Sequence, residues 1–196
     1  MILKIVIAPD SVLKKVSEPV VIENEEDKLQ LQSFMKSLVE TCRHIQGIGL
    51  SAIQVGIPSR VFVVATEEDE LYFVNPEIVE TSGNDVMFKE GCLSFPGIFA
   101  GVKRPENVKI RYLNYNLEPA ELEATGLVAR CILHEYDHLE GKVFVDYVGK
   151  IARDMAYKKS NKAKKEIERL TKVRMAEMEQ KALEEKMEER AAKLDE

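Results

Sequence analysis

One segment in the second half of the chain constrains the fold more than any other. It begins at Thr125, runs through LVARCILHEYDHLE and ends at Gly141. Threonine is favoured just before a helix and glycine just after one, and the residues between them are rich in apolar side chains. The segment therefore predicts a helix around which the rest of the chain packs.

Two histidines on this helix indicate a metal site. His134 and His138 are four residues apart, so they lie one turn apart on the same face and both imidazoles can reach one ion. Glu135 lies between them in sequence, close enough to act on a water molecule at the metal. The same pattern can arise by chance, but its place on an apolar helix ahead of a glycine favours the metal site.

The third ligand decides the class of site, and several candidates can be set aside. His44 falls on the exposed side of another predicted helix. Phe144 takes the place of the last histidine in the longer motif His-Glu-x-x-His-x-x-Gly-x-x-His, and it cannot bind a metal. Glu166 and Glu168 lie in a long charged segment that is typical of a solvated helix.

Two cysteines remain as candidates. Cys131 shares the histidine face, but from Cys131 to His138 the helix rises by about 10 Å, so these side chains converge poorly on one ion. Cys92 follows a glycine, precedes a Leu-Ser-Phe-Pro-Gly turn and lies between predicted strands. A thiolate from Cys92 with two imidazoles leaves a fourth position for water, as in catalytic sites.

The remainder of the first 150 residues predicts one helix and several strands. Apolar residues recur at steps of three and four over residues 27–46, which indicates an amphipathic helix that ends at Gly47 and Gly49. Short β-rich runs separated by Gly, Pro and Asn follow, which predicts antiparallel strands. These runs cover residues 60–65, 71–76, 108–115 and 118–124.

The last part of the chain predicts a long helix. From Ile151 onward there is no Pro or Gly, and strong helix formers dominate. We therefore expect an α+β fold, with antiparallel sheets packed around a central metal-binding helix, an N-terminal helix and a long C-terminal helical tail. Residues 1–150 are predicted to form a catalytic metallohydrolase domain, and residues 151–196 a charged helical extension.

Composition limits the location of the chain. No stretch approaches the ~18 uninterrupted apolar residues of a membrane span. The first residues, MILKIVIAPD, lack the pattern of a secretion signal or of an organelle transit peptide. Three cysteines without a disulfide-framework spacing indicate reduced thiols. We therefore expect a cytoplasmic protein that does not contact a membrane.

Three segments together resemble the peptide deformylase family. They are GIGLSAIQ at 47–54, EGCLS at 90–94 and HEYDH at 134–138. They are similar to the family's Gly-x-Gly-Leu-Ala-Ala-x-Gln, Glu-Gly-Cys-Leu-Ser and His-Glu-x-Asp-His. The likeness extends more weakly over roughly residues 5–150, and it does not cover the tail.

This chain departs from the family pattern at two positions. Ser51 stands where the first alanine is usual, and Leu133 stands where a glutamine often precedes the histidine. Neither departure changes a reacting group. Glu90 is interpreted as orienting its loop or the start of the helix rather than reacting. Asp137 is interpreted as supporting the site or as a salt-bridge partner, for which Arg104 is one candidate.

The resemblance implies an enzyme that removes the formyl group from the N-terminal formyl-methionine of nascent polypeptides. A metal-bound water would be the nucleophile, and Glu135 would act as general base and then as general acid. The carbonyl oxygen becomes negative during the reaction and needs hydrogen-bond donors. Carried over from the family, these are the backbone N–H of Leu93 and the side-chain amide of Gln54.

A further set of residues is assigned to substrate binding. Gly47 and Gly49 flank Ile48 and let a substrate backbone approach and pair with this segment, as an added strand would. Ile48, Leu127 and Cys131 are expected to line the pocket for the methionine side chain, although ordinary core packing is the alternative. The full set is Gly47, Ile48, Gly49, Gly91, Leu127 and Cys131.

The metal is expected to be one divalent transition metal ion. The ligand spacing alone indicates zinc. The resemblance implies Fe²⁺ in the cell, with Zn²⁺ or Ni²⁺ able to occupy the same site.

The tail is strongly polarised in charge. Residues 151–174 hold nine Lys or Arg and three Asp or Glu. Residues 175–196 hold four Lys or Arg and eight Asp or Glu. The basic part suits a polyanion such as ribosomal RNA, so the ribosome is the expected partner. A solvated helix with pairs such as Glu168 and Lys172 is one alternative. Self-association through a thin apolar row is another, although we expect a monomer; the row is Ala163, Ile167, Leu170 and Val173.

Two other classes of protein remain open. A zinc endopeptidase shares the helix motif and the glutamate base, and it would cleave inside peptides. A non-catalytic module would use the tail for binding and the metal for structure. Structural zinc usually has four protein ligands, and no fourth ligand is evident in the sequence.

Overall fold

The chain folds around one antiparallel sheet. The predicted α+β class is thereby confirmed. The structure, a computed structural model, describes residues 1–192, and for 177 and 179–192 it describes the backbone alone. The strands are β1 Gly49–Ser51, β2 Val61–Ala65, β3 Glu70–Cys92, β4 Phe95–Leu113 and β5 Pro119–Thr125. The α-helices are α1 Glu25–His44, α2 Gly126–Leu139 and α3 Lys150–Ala192.

The five strands pair in chain order, β1-β2-β3-β4-β5, with every neighbouring pair antiparallel. β3 and β4 form a hairpin far longer than the strands predicted at 71–76 and 108–115. Four register shifts interrupt their pairing, and such bulges bend and twist a strand. The added length of β3 is mostly exposed on both faces, so its sequence has no apolar alternation from which a strand could be predicted.

β2 is buried along its whole length because helices cover both of its faces. Val61 and Val63 point to one side and share a core cluster with Met35 of α1. Phe62 points to the other side and shares a cluster with Ile132 of α2. This alternation is the period of two of a strand, and it places the predicted histidine helix directly against the sheet.

α1 ends differently from the prediction. Its last residue is His44, and the chain reverses at Gln46, which has a φ of 56°. The backbone N–H of Gly47 then donates to the carbonyl of Cys42 at 2.8 Å. Gln46, and not Gly47, therefore takes the left-handed conformation that ends the helix. Gly47 instead allows close packing, because a Cβ there would lie 2.9 Å from Leu93 Cδ1.

α2 begins and ends where the sequence predicts. Thr125 occupies the position before its first residue, although its side chain makes no capping hydrogen bond. Gly141 follows the end with a φ of 67°, and a Cβ there would lie 2.6 Å from the carbonyl oxygen of Lys14. Both the backbone conformation and the close approach therefore require glycine at this position.

α3 is the predicted helical tail. Residues 193–196, which the predicted extension 151–196 includes, lie outside the described residues. The chain divides into two compact units, Met1–Ser160 and the segment from Asn161 onward. The division into a domain of residues 1–150 and an extension of residues 151–196 stays a prediction. Over the part of the chain that the structure describes, none of the helices is both long and apolar enough to cross a membrane.

The first turns of α3 pack within the first unit. The hydroxyl of Ser160 is fully buried and donates to the carbonyl of Ala8 at 2.7 Å. The Tyr157 ring lies 5.3 Å from the Phe95 ring in an edge-to-face arrangement. Residues as far as Ser160 therefore contribute to the core of this unit.

Candidate active site

The three predicted metal ligands converge in the structure. Cys92 Sγ and one ring nitrogen each of His134 and His138 all lie within 4.8 Å of one another. Cys92 Sγ is 3.3 Å from His138 Nε2. Ligand atoms around a tetrahedral zinc-sized ion are roughly 3.3–3.6 Å apart, from bond lengths of about 2.0–2.3 Å. One thiol and two imidazoles at this spacing fit a divalent transition metal ion.

Two elements bring these ligands together. His134 and His138 project from one face of α2, with their rings 5.2 Å apart. Cys92 is the last residue of β3, at the tight turn where it pairs with Phe95 of β4. The turn aims the thiol at the helix, which is why a cysteine 42 residues before the first histidine can complete the set.

The rejected candidates lie elsewhere or take other roles. His44 is exposed, and Glu166 forms an exposed ion pair with Arg169. Phe144 is buried, with its ring 6.1 Å from the His134 ring. Cys131 does not belong to the ligand group.

A buried cluster of charged residues contacts His134. His134 Nδ1 lies 3.0 Å from Glu90 Oε2, and Glu90 also accepts from Arg104 Nε and from Arg130, each at 2.7 Å. Burial alone would raise the pKa of Glu90, but the hydrogen bonds from His134 and Arg104 outweigh it and lower the pKa to about 2. Glu90 is therefore an anion that orients His134, whereas the sequence-based interpretation assigns it to its loop or to the start of the helix.

The cluster continues to the far end of α2. Arg104 donates to Asp137 Oδ2 at 2.7 Å, so the predicted partnership of these two residues is confirmed. The Tyr147 hydroxyl donates to Asp137 Oδ1 at 2.9 Å. The cluster thus links Glu90, near the end of β3, to His134 and Asp137 of α2.

The two histidines differ in charge preference. Burial, with the neighbouring charges of His134, Arg104 and Lys14, lowers the pKa of His138 well below its usual value, so this ring is neutral. Burial alone would lower the pKa of His134, but its hydrogen bonds to Cys92 and Glu90 raise it to about 10. The two rings therefore differ in the form that their surroundings favour, which is neutral for His138 and protonated for His134.

Glu135 is almost fully buried between α2 and β1. Burial raises the pKa of Glu135, although the charge of His134 and the hydrogen bond from Ser51 act to lower it. The Ser51 hydroxyl lies 2.5 Å from Glu135 Oε2. On the other side, a Cβ at Gly49 would lie 2.6 Å from Glu135 Oε1. The carboxyl group is thus held tightly beside the ligand group.

The two predicted oxyanion donors lie next to the cysteine. The backbone N–H of Ser51 donates to Gln54 Oε1 at 2.9 Å, which turns the amide nitrogen towards the site. Gln54 Nε2 then lies 3.4 Å from both Cys92 Sγ and Ser94 Oγ. Leu93 follows Cys92 in the turn, half-buried.

A cavity of about 540 Å³ opens beside these groups. It is lined by Cys92, His134, Glu135, Gln54 and Leu93, and by all six residues assigned to the substrate, namely Gly47, Ile48, Gly49, Gly91, Leu127 and Cys131. Ile48 is 42% exposed and Leu127 55%, so neither is an ordinary core residue. Cys131 is buried.

Several residues that line this cavity were not predicted from the sequence, among them Phe88, Phe99 and Arg130. Phe88 and Phe99 line the same cavity and are both exposed. Arg130 lines the cavity, and its guanidinium group donates a hydrogen bond to Glu90 Oε1. A signal for Arg130 was present, because an arginine inside an apolar helix must find a buried partner. The two phenylalanines lie in the exposed part of the hairpin, where no pattern marked them.

Comparison with known proteins agrees with this geometry. The family described as polypeptide deformylase matches residues 2–154. The peptide deformylase of Bartonella tribocorum is 42% identical over 169 residues, which cover 83% of this chain and 93% of that relative.

Solved structures agree as well. The crystal structure of a peptide deformylase from Legionella pneumophila has a TM-score of 0.79 at 37% identity, and the match covers 86% of this chain and 99% of the other. A peptide deformylase from Ehrlichia chaffeensis in complex with actinonin has a TM-score of 0.76 at 37% identity. This match covers 83% of this chain and 97% of the other. The predicted resemblance is confirmed: this chain belongs to the polypeptide deformylase family of enzymes.

Proposed function

We propose that this chain is a metal-dependent hydrolase that removes the formyl group from the N-terminal formyl-methionine of nascent polypeptides. The observation that supports this most directly is the convergence of Cys92, His134 and His138 beside the buried Glu135 at the wall of one cavity. Membership of the deformylase family favours this function over a zinc endopeptidase and over a non-catalytic module.

In this proposal Cys92, His134 and His138 hold the metal. When bound, a divalent ion makes a water molecule acidic enough to serve as a nucleophile near neutral pH. The Cys92 thiolate and the two imidazole rings supply donors that suit Fe²⁺, Zn²⁺ and Ni²⁺. Fe²⁺ is the ion that we expect in the cell.

Glu135 moves the proton. Its carboxylate accepts the proton that the attacking water gives up, and it returns a proton to the amine nitrogen as the bond from carbon to nitrogen breaks. Formate and a free amino terminus result. The tight enclosure of Glu135 by Gly49 and Ser51 supports this role, because a base must be held within hydrogen-bond reach of the reacting water.

Gln54 and Leu93 stabilise the charge that develops on the formyl oxygen. The Gln54 amide is oriented by the backbone of Ser51, so its N–H groups face the cysteine and the cavity. The second donor is the backbone N–H of Leu93 in the turn after Cys92. Donors that are already oriented before reaction lower the barrier without further rearrangement.

The substrate backbone pairs with the edge of the sheet. β1 pairs with β2 alone in the sheet order, so its other edge is available to an extended peptide next to Gly47, Ile48 and Gly49. Gly91 lines the same cavity, where an added Cβ would lie 2.7 Å from the Phe99 ring. The methionine side chain enters the slot between Ile48, Leu127 and Cys131, where a thioether finds an apolar surface.

The basic part of the tail, residues 151–174, is proposed to bind the ribosome as an extension of a catalytic domain of residues 1–150. Most of its Lys and Arg side chains are exposed in the structure, as contact with phosphates requires. A monomeric state and a cytoplasmic location stay predictions.

The test measures formate release from formyl-Met-Ala by protein loaded separately with Fe²⁺, Zn²⁺ or Ni²⁺, with metal content determined in parallel. Acetyl-Met-Ala is the matched control, since it differs only in the acyl group and should not react. Absence of formate from metal-loaded protein would contradict the proposal. Cleavage inside longer peptides would support the endopeptidase instead.

A further inference from the structure

Ser51, at which this chain departs from the family pattern, contacts the proposed base directly. It is the last residue of β1 and is fully buried. Its Oγ lies 2.5 Å from Glu135 Oε2 and 3.1 Å from the backbone carbonyl oxygen of Glu135. An alanine, which is usual in the family at this place, has no group that can make either contact.

The two oxygens of the Glu135 carboxyl group therefore have different surroundings. Oε2 is bound to the Ser51 hydroxyl. Oε1 lies under Gly49, where an added Cβ would come within 2.6 Å of it and within 2.9 Å of Glu135 Cγ. The hydroxyl on one side and the bare backbone on the other restrict rotation of the carboxyl group, and Glu135 is only 3% exposed.

Ser51 also reaches the proposed oxyanion donor, but by a different group. Its backbone N–H, not its hydroxyl, donates to Gln54 Oε1 at 2.9 Å. A change of side chain at position 51 therefore removes the contact with Glu135 and leaves the contact with Gln54 in place. This separation makes the role of the hydroxyl measurable.

We propose that Ser51 is a positioning residue for Glu135: its hydroxyl holds Oε2 and leaves Oε1 to carry the proton. This inference rests on the proposed function, in which Glu135 moves that proton. A hydroxyl both donates and accepts. Ser51 can therefore stay paired with Oε2 throughout the reaction, because its hydroxyl can donate to that oxygen whether or not Oε1 carries the proton.

The test compares Ser51→Ala with the wild type and with Ser160→Ala. Alanine is the usual family residue at position 51, so the variant is expected to fold. Ser160 is the matched control, because it too is fully buried and loses one short hydrogen bond, to Ala8 at 2.7 Å. kcat and KM for formyl-Met-Ala, metal content and thermal stability are measured for all three proteins.

We expect Ser51→Ala to lower kcat by about 10-fold, the lower end of what a lost hydrogen bond to a charged group costs, with KM and metal content unchanged. Ser160→Ala should keep the wild-type kcat. A crystal structure of Ser51→Ala should show the Glu135 carboxyl group rotated away from its present position.

Four results would overturn the positioning role. The first is an unchanged kcat in Ser51→Ala. The second is a change confined to KM, and the third is an equal loss of kcat in Ser160→Ala; either of these would indicate a structural effect. The fourth is failure of the wild type itself to release formate, which would remove the proposed function as well and is thereby distinguished from the other three.

Discussion

His134 and Glu90 form a pair in which the carboxylate determines which ring nitrogen faces the metal site. Nδ1 of His134 lies 3.0 Å from Glu90 Oε2, and Glu90 stays ionised because its pKa is lowered to about 2. An ionised carboxylate only accepts hydrogen bonds, so Nδ1 carries the hydrogen and Nε2 is left to bind a metal. Arg104 and Arg130 in turn hold Glu90.

Glu90→Gln should weaken both the fold and the metal site. The change leaves the buried Arg104 and Arg130 with less negative charge nearby, which should lower the free energy of unfolding by about 3 kcal/mol. Metal affinity should fall by about 10- to 100-fold, since the His134 ring loses its charged partner. Urea unfolding of the metal-free protein and competition with a chelator measure the two effects.

Glu121→Gln is the matched control for this prediction. Glu121 pairs with Lys109 at 2.9 Å on an exposed strand, where an ion pair contributes little to stability. Wild-type stability and metal affinity in Glu90→Gln would show that the cluster does not support His134.

Serine substitutions at Cys92 and at Cys131 should distinguish the metal ligand from a residue of the pocket wall. Cys92→Ser should lose bound metal and activity, because a hydroxyl is a poor replacement for a thiolate. Cys131→Ser should keep its metal and change mainly KM, since Cys131 lies outside the ligand group. Metal analysis after gel filtration distinguishes them, and an empty site in Cys131→Ser would refute the assignment.

Glu135→Gln should separate metal binding from catalysis. The amide keeps the shape of the side chain but cannot accept a proton. Metal content should stay at the wild-type level while turnover falls by about 10²- to 10⁴-fold. Stopped assays of formate release at saturating substrate give the turnover, and a nearly normal rate in the metal-loaded variant is incompatible with Glu135 as the base.

Removal of the metal should expose one cysteine to alkylation. Cys42 is fully buried, and burial raises its pKa to about 12. Cys131 is also buried, with a pKa raised well above its usual value. Iodoacetamide near pH 8 should therefore modify Cys92 first in chelator-treated protein, and the other two only after unfolding. Peptide mass spectrometry would reveal a contrary order.

A chain ending after Ser160 should keep its activity on short formyl peptides. The cut follows Ser160 because Tyr157 and Ser160 pack against Phe95 and Ala8 in the first unit. The shortened chain should lose salt-sensitive binding to ribosomes, and exchange of Lys and Arg for Gln within residues 161–174 should have the same effect. Cosedimentation at low and high salt tests this, and equal binding by both chains would assign the tail another use.

The sequence was sufficient wherever a property depends on local periodicity or on local chemistry. His134, Glu135 and His138 could be placed on one helix because a spacing of four residues brings side chains to one face whatever the rest of the fold does. The limits of α2 followed from Thr125 and Gly141. The family could be recognised because three short motifs lie in one order, and family membership is now shown.

Tertiary packing alone decided the contacts that unite distant parts of the chain. Ser51 and Glu135 are 84 residues apart, and Glu90 and His134 are 44 apart. Whether such atoms come within hydrogen-bond distance depends on how α2 is shifted and rotated against the sheet. That placement is set by the side chains of both surfaces together, whereas a periodic pattern reports only which face of each element is buried.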